Sequence, residues 1–149
     1  MASIYDTKWR LKNIDRERER TREYAARKRN DNPRAKIDNA MSCGVRGSLV
    51  RGTKRGQKWE ILVGYTTSDL MAHLERQFLP GMTWGNYGRG GWHVDHVIPK
   101  SVFNYTDPAH IDFKKAWALS NLQPLWESDN LSKQARFSGS FQPSLALAA

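Results

Sequence analysis

All of the net positive charge of this 149-residue chain lies in its first 60 residues, where 17 Lys and Arg stand against 8 Asp and Glu; residues 61–149 carry 7 of each. Charged side chains are almost never fully buried unless paired, so a packed core has to come from the neutral remainder. The large rings agree, since Trp84, Tyr87, Trp92, Phe103, Tyr105, Phe113, Trp117 and Trp126 all fall there, and such rings supply most of the surface a small core can bury. The expected organisation is a basic helical arm and Gly-rich connector over 1–60, a folded centre over 61–136 and a disordered tail over 137–149. The length suits one domain. A single cysteine, Cys43, excludes an intrachain disulfide and a four-cysteine zinc site. No apolar stretch approaches the roughly 20 residues that span a bilayer, and no signal-peptide pattern opens the chain. The expectation is a cytoplasmic protein without a membrane partner. A pI near 9.9 points to a polyanion instead.

Within the arm, residues 15–30 are almost purely charged and helix-favouring, with Asp15 as the expected N-cap. Opposite charges recur three apart, as in Arg16/Glu19 and Glu17/Arg20, which supports an exposed helix by a few tenths of a kcal/mol per pair. A solvated helix and a phosphate-contacting one both fit, and Arg20, Arg27, Lys28 and Arg29 are the candidates for contact. Asn32-Pro33 should end this helix. Gly44, Gly47, Gly52 and Gly56, interleaved with Arg46, Arg51, Lys54 and Arg55, read equally as a phosphate-binding connector or as a solubilised linker. From Thr66 a core helix is expected, with Thr66 or Thr67 as cap, Asp69 at its positive end and Leu70, Met71, Leu74 and Phe78 on one face, ended by Pro80-Gly81.

Chemistry concentrates in Trp92-His93-Val94-Asp95-His96-Val97-Ile98-Pro99. The β-branched residues mark a strand, Pro99 closes it, and three side chains able to bind metal or move protons fall within four positions. Asn121-Leu122-Gln123-Pro124-Leu125-Trp126 follows as a second strand, and Asp129-Asn130-Leu131-Ser132-Lys133 opens a helix. In a regular strand His93 and Asp95 share a face while His96 points away. Joint action of Asp95 and His96 therefore requires the strand to end, twist or bulge between them.

This series of segments, with Met82-Thr83-Trp84 to Tyr87-Gly88 ahead of it, resembles the HNH endonucleases of the ββα-metal fold, and among them the phage-type group. The resemblance covers about Leu70 to Gln134. One departure stands out: many members hold a structural zinc with two Cys-x-x-Cys pairs, and this chain has no such cysteines, so Trp84, Trp92, Trp117 and Trp126 have to stabilise the fold instead. The resemblance implies an α+β protein, a small ββα-metal core with a basic helical N-terminal extension. It also implies that His96 is the general base, that Asp95 and Asn130 hold one divalent cation, Mg²⁺ with Mn²⁺ as its substitute, and that Asn121 orients the His96 ring. His93 is left between third ligand, phosphate contact and structural residue. His73 and His110 read as ordinary surface or packing residues.

The expected function is metal-dependent hydrolysis of DNA, most readily double-stranded, one strand per active site, leaving 5′-phosphate and 3′-hydroxyl ends. Arg89, in the loop before the strand, is a further candidate for phosphate; Lys133 and Arg136, one turn apart on the last helix, read equally as phosphate contacts or as solvated charges. A nucleic-acid-binding protein without catalysis and an RNA-directed nuclease draw on the same charge. Protein partners are not indicated, and one site per chain leaves a homodimer open as the route to a double-strand break. A phage-encoded member would act in the bacterial host cell.

Overall fold

The computed structural model describes residues 4–134 and 136. The expected tail, 137–149, lies outside the described residues. The chain is α+β and divides between Lys36 and Ile37 into two units.

The first unit is essentially helix α1 (Ile4–Asp31). It starts well before Asp15, so Asp15 does not cap it; helix-favouring residues on both sides carry the helix straight through that position. Among the described residues its ion pair is Asp15 with Arg18 at 3.8 Å, both well exposed, and such a pair contributes little. Trp9, Leu11 and Tyr24 are exposed along it.

Helix α2 (Pro33–Ser48) follows a single intervening residue. Asn32 caps it: its Oδ1 accepts from the backbone N–H of Arg34 at 3.0 Å and of Ala35 at 3.3 Å. Pro33 takes the first helical position, where its missing N–H costs nothing. Ile37, Met41 and Val45, spaced i, i+4, i+8, are buried, as is Leu49 just beyond. The expected connector is therefore corrected. Gly44, Gly47 and Arg46 belong to a core helix, and the compact unit begins at Ile37 rather than at Ile61, with Trp59 also buried in it. Only residues 49–58 remain as turns, in which Gly52, Arg55 and Gly56 take left-handed backbone.

Two short helices come next, α3 (Trp59–Val63) and α4 (Thr67–Glu75). Thr66 and Asp69 form a reciprocal capping box on α4, and Leu70 and Leu74 are fully buried, as the sequence predicts. Phe78 lies past the end of α4 yet packs against Trp84 and Trp92, with ring centroids 5.3 and 4.9 Å apart.

The sheet has two antiparallel strands, β1 (Trp92–His96) and β2 (Leu122–Trp126), in the register Trp92↔Trp126, Asp95↔Gln123 and His96↔Leu122. Between them the chain forms α5 (Ile111–Ala116) and short 3₁₀ turns. Helix α6 (Glu127–Lys133) follows β2 directly and packs on both strands. His73 and His110 do structural work: the first bonds the Leu122 carbonyl from α4 at 2.9 Å, and the second caps α5 through its Nδ1. No helix among the described residues is long and apolar enough to cross a membrane.

Candidate active site

Strand β1 ends at His96, which still pairs with Leu122 in the ladder, yet Asp95 and His96 both line one cleft. An open cleft of about 480 Å³ is lined by His93, Asp95 and His96 from β1, Lys100 from the turn after it, Trp117 past α5 and Asn130 from α6.

Asp95 is 9% exposed. Its Oδ2 accepts from Nε2 of Gln123, its cross-strand partner, at 2.9 Å, and from the Lys133 ammonium at 2.5 Å. Lys133 also donates to the His96 carbonyl oxygen. The sequence reads Lys133 as a phosphate contact or, equally, as a solvated helix charge; it lies instead on Asp95, because α6 starts at the end of β2 and lays its last turn across β1.

The His96 ring stands 4.6 Å from that of Trp117 at a steep interplanar angle of 83°, and its Nε2 is buried with no hydrogen-bond partner among the described residues. Burial first, then the nearby Lys100 charge, pull its pKa down to about 4 against the opposing pull of Asp95. The imidazole is therefore neutral at neutral pH. A neutral ring is the form that accepts a proton.

Asn121 does not touch the His96 ring, and the expected contact is corrected. Its Oδ1 accepts from the Ile98 N–H at 2.8 Å, and its Nδ2 donates to the Ile98 carbonyl at 3.1 Å and the Ala116 carbonyl at 2.9 Å. With its backbone oxygen on the Val97 N–H at 2.8 Å, this residue fixes the segment directly after His96. It positions backbone, and the imidazole follows.

His93 faces Glu127, Nε2 to Oε1 at 3.8 Å, while the other Glu127 oxygen accepts from the Gly90 N–H at 2.6 Å. Glu127 thus ties the loop holding Arg89 to the start of α6. In that loop Gly91 admits no side chain, since a Cβ would lie 1.6 Å from the Asn86 carbonyl oxygen. Arg89 itself is exposed.

No family model matches this chain, and no solved structure does. An uncharacterized protein of Acanthamoeba polyphaga mimivirus is 34% identical over 89 residues, which is 58% of this chain and 38% of that protein. The chain therefore spans well under half the length of this relative.

Among the described residues no three His, Cys, Asp or Glu side chains cluster as a metal site. The residues with donor groups that line the cleft together are Asp95, Asn130 and His96, the last with its Nε2 buried. One carboxylate with one amide oxygen suits a hard cation that keeps most of its water, as Mg²⁺ does, provided Lys133 yields its place on Asp95.

Of the other candidate cations, Arg20, Arg27 and Lys28 are exposed on α1, Arg29 is on the same helix with its side chain outside the described residues, and Arg46, Arg51 and Arg55 are exposed in the second unit. Lys54 is half-buried. Lys100, Gln123 and Glu127 were not singled out from the sequence, and Trp117 was read only as a ring that stabilises the fold. Gln123 and Glu127 could have been found by pairing the two strands antiparallel in register, which sets them opposite Asp95 and beside His93. Lys100 and Trp117 carry no local signal.

Proposed function

We propose that this chain is a divalent-cation-dependent endonuclease of the HNH type, acting on DNA. The observation that carries the reading is the meeting of Asp95, His96 and Asn130 in one open cleft, with His96 held neutral. Of the two imidazole nitrogens, Nε2 is closed off from solvent, which leaves Nδ1 to take a proton from water as that water's oxygen bonds to phosphorus. The bond from phosphorus to the 3′ oxygen breaks, the departing oxygen takes a proton from solvent, and 5′-phosphate and 3′-hydroxyl ends result. Asp95 and Asn130 would hold the cation, whose charge would be available to the phosphate and the leaving oxygen. Asn121 holds the backbone at Val97 and Ile98, and so keeps the ring where the water arrives.

A second reading, a nucleic-acid-binding protein without hydrolysis, draws on the Lys133 ammonium seated against Asp95. Supercoiled plasmid, linear duplex, single-stranded DNA and RNA, each incubated with the full chain in Mg²⁺, in Mn²⁺ and in chelator, separate the two. Nicking of plasmid that stops in chelator is expected. Tight binding of duplex without cleavage in either metal would overturn hydrolysis, and preferential loss of RNA would change the substrate.

A further inference from the structure

Each charged group lining the cleft can be matched to a partner except one. Asp95 is answered by Lys133. Lys100 lies in the turn after β1, and among the described residues its ammonium has no ion pair and no hydrogen bond; its recorded contact is the face of Trp117, 5.2 Å from the ring centroid. Burial holds this ammonium below the usual lysine range, as expected of a cation partly withdrawn from water without a counter-ion. The same ring packs on His96 from its other contact, so Lys100 and His96 share one wall. That wall is fixed from three directions. The Trp117 indole N–H reaches the Ser48 hydroxyl and the Tyr105 hydroxyl at 3.2 Å each, and Gly44 of α2 lies so close that a Cβ there would stand 3.0 Å from the ring.

An exposed cation over the Trp117 ring and beside a neutral imidazole, without a counter-ion among the described residues, is complementary to an anion that enters the cleft. Phosphate is such an anion, and ammonium to phosphate contacts are among the stronger hydrogen bonds when partly desolvated. We propose that Lys100 is the phosphate-binding residue of this cleft, with its ammonium on a non-bridging oxygen of the phosphodiester that is to be attacked beside His96. The proposal rests on the nuclease reading for what happens to that phosphate, and not for its binding. Lys133 and Lys100 then divide the work: one neutralises the carboxylate of the free protein, and the other awaits the substrate.

The test uses the full chain, wild type and the variants Lys100→Met, Lys100→Arg and Lys114→Met. Methionine keeps an apolar stem over Trp117, and Lys114 is an exposed control on α5. The dinucleotide thymidylyl-thymidine, which offers a single phosphodiester, is titrated in chelator while the Trp117 indole N–H resonance is followed. Saturable shifts are expected in wild type, Lys100→Arg and Lys114→Met, and their loss in Lys100→Met. On a 20-base-pair duplex, Lys100→Met should lower the slope of log affinity against log salt by about 0.9, and cleavage at low substrate should fall on the order of tenfold or more. Dinucleotide shifts and salt slope unchanged in Lys100→Met would overturn the proposal even if wild type cuts DNA. A wild type that never cuts, but whose dinucleotide shifts vanish in Lys100→Met, would uphold it and overturn hydrolysis.

Discussion

An imidazole pulled to a pKa of about 4 writes itself into the stability of the fold as well as into the proposed chemistry. In the unfolded chain His96 returns to about 6.5, so between pH 6.5 and 4 the unfolded state binds a proton that the folded state does not. Stability from this residue is complete above pH 6.5 and falls with acid, by about 2 kcal/mol between pH 6.5 and 5. Urea melts of wild type and His96→Gln across that range should diverge by roughly this amount, with the variant less acid-sensitive; parallel curves would mean that the ring is solvated. The same burial keeps the ring neutral well below the ordinary histidine range. If the nuclease proposal holds, His96→Ala should lower the cleavage rate on the order of 100- to 10,000-fold while duplex binding stays within a few-fold, because in that proposal the imidazole acts on water and not on phosphate. The motif residues were legible in sequence because their chemistry is unusual for their spacing. Their partners were not: nothing local to Asn121 says that its amide will close on Ile98 and Ala116, since that depends on where α5 ends relative to β1.

Helix α2 is where local reading and structure part. Four glycines and a run of cations from 44 to 56 suggest chain that packs on nothing, yet Gly44 is a glycine of close approach, placed where Trp117 leaves no room for a Cβ. The buried stripe Ile37, Met41, Val45 has helical spacing, but it is short and diluted by Asp38, Asn39 and Arg46, so periodicity alone could not outweigh the glycines. By contrast α4, with its cap, its dipole-complementing Asp69 and its apolar face, could be read residue by residue, and so could the two strands. The difference can be measured. Val45→Ala or Ile37→Ala should destabilise the chain by about 1 to 4 kcal/mol, whereas Leu11→Ala, exposed on α1, should stay within about 0.5 kcal/mol. Equal effects at the two sites in denaturant melts would contradict the division at Lys36.

At the scale of the molecule, most of the net charge lies in the first unit, with 12 Lys and Arg against 6 Asp and Glu, while the cleft lies in the second, which carries 12 against 9. Removing residues 1–31 while keeping the Asn32 cap takes away ten cations, from Lys8 to Arg29, and leaves every residue of the cleft. Each phosphate contact contributes a slope of about 0.9 in log affinity against log salt, so the loss of four would flatten the dependence by about 3.6 units. The shortened chain, once its melting is checked, should bind duplex weakly and still cut slowly at high protein concentration. Full affinity with the full slope would transfer the grip to Arg46, Arg51, Lys54 and Arg55. The sheet carries one more consequence, for the order of events in synthesis. Strands β1 and β2 are separated by residues 97–121, and their pairing closes that loop at an entropic cost that only the finished core offsets. Asp95 meets Gln123 across the sheet, and Lys133 and Asn130 arrive from α6, so the cleft has no floor until residue 133 has left the ribosome. Until then a growing chain carries Asp95 and His96 without the strand and the helix that complete the cleft around them.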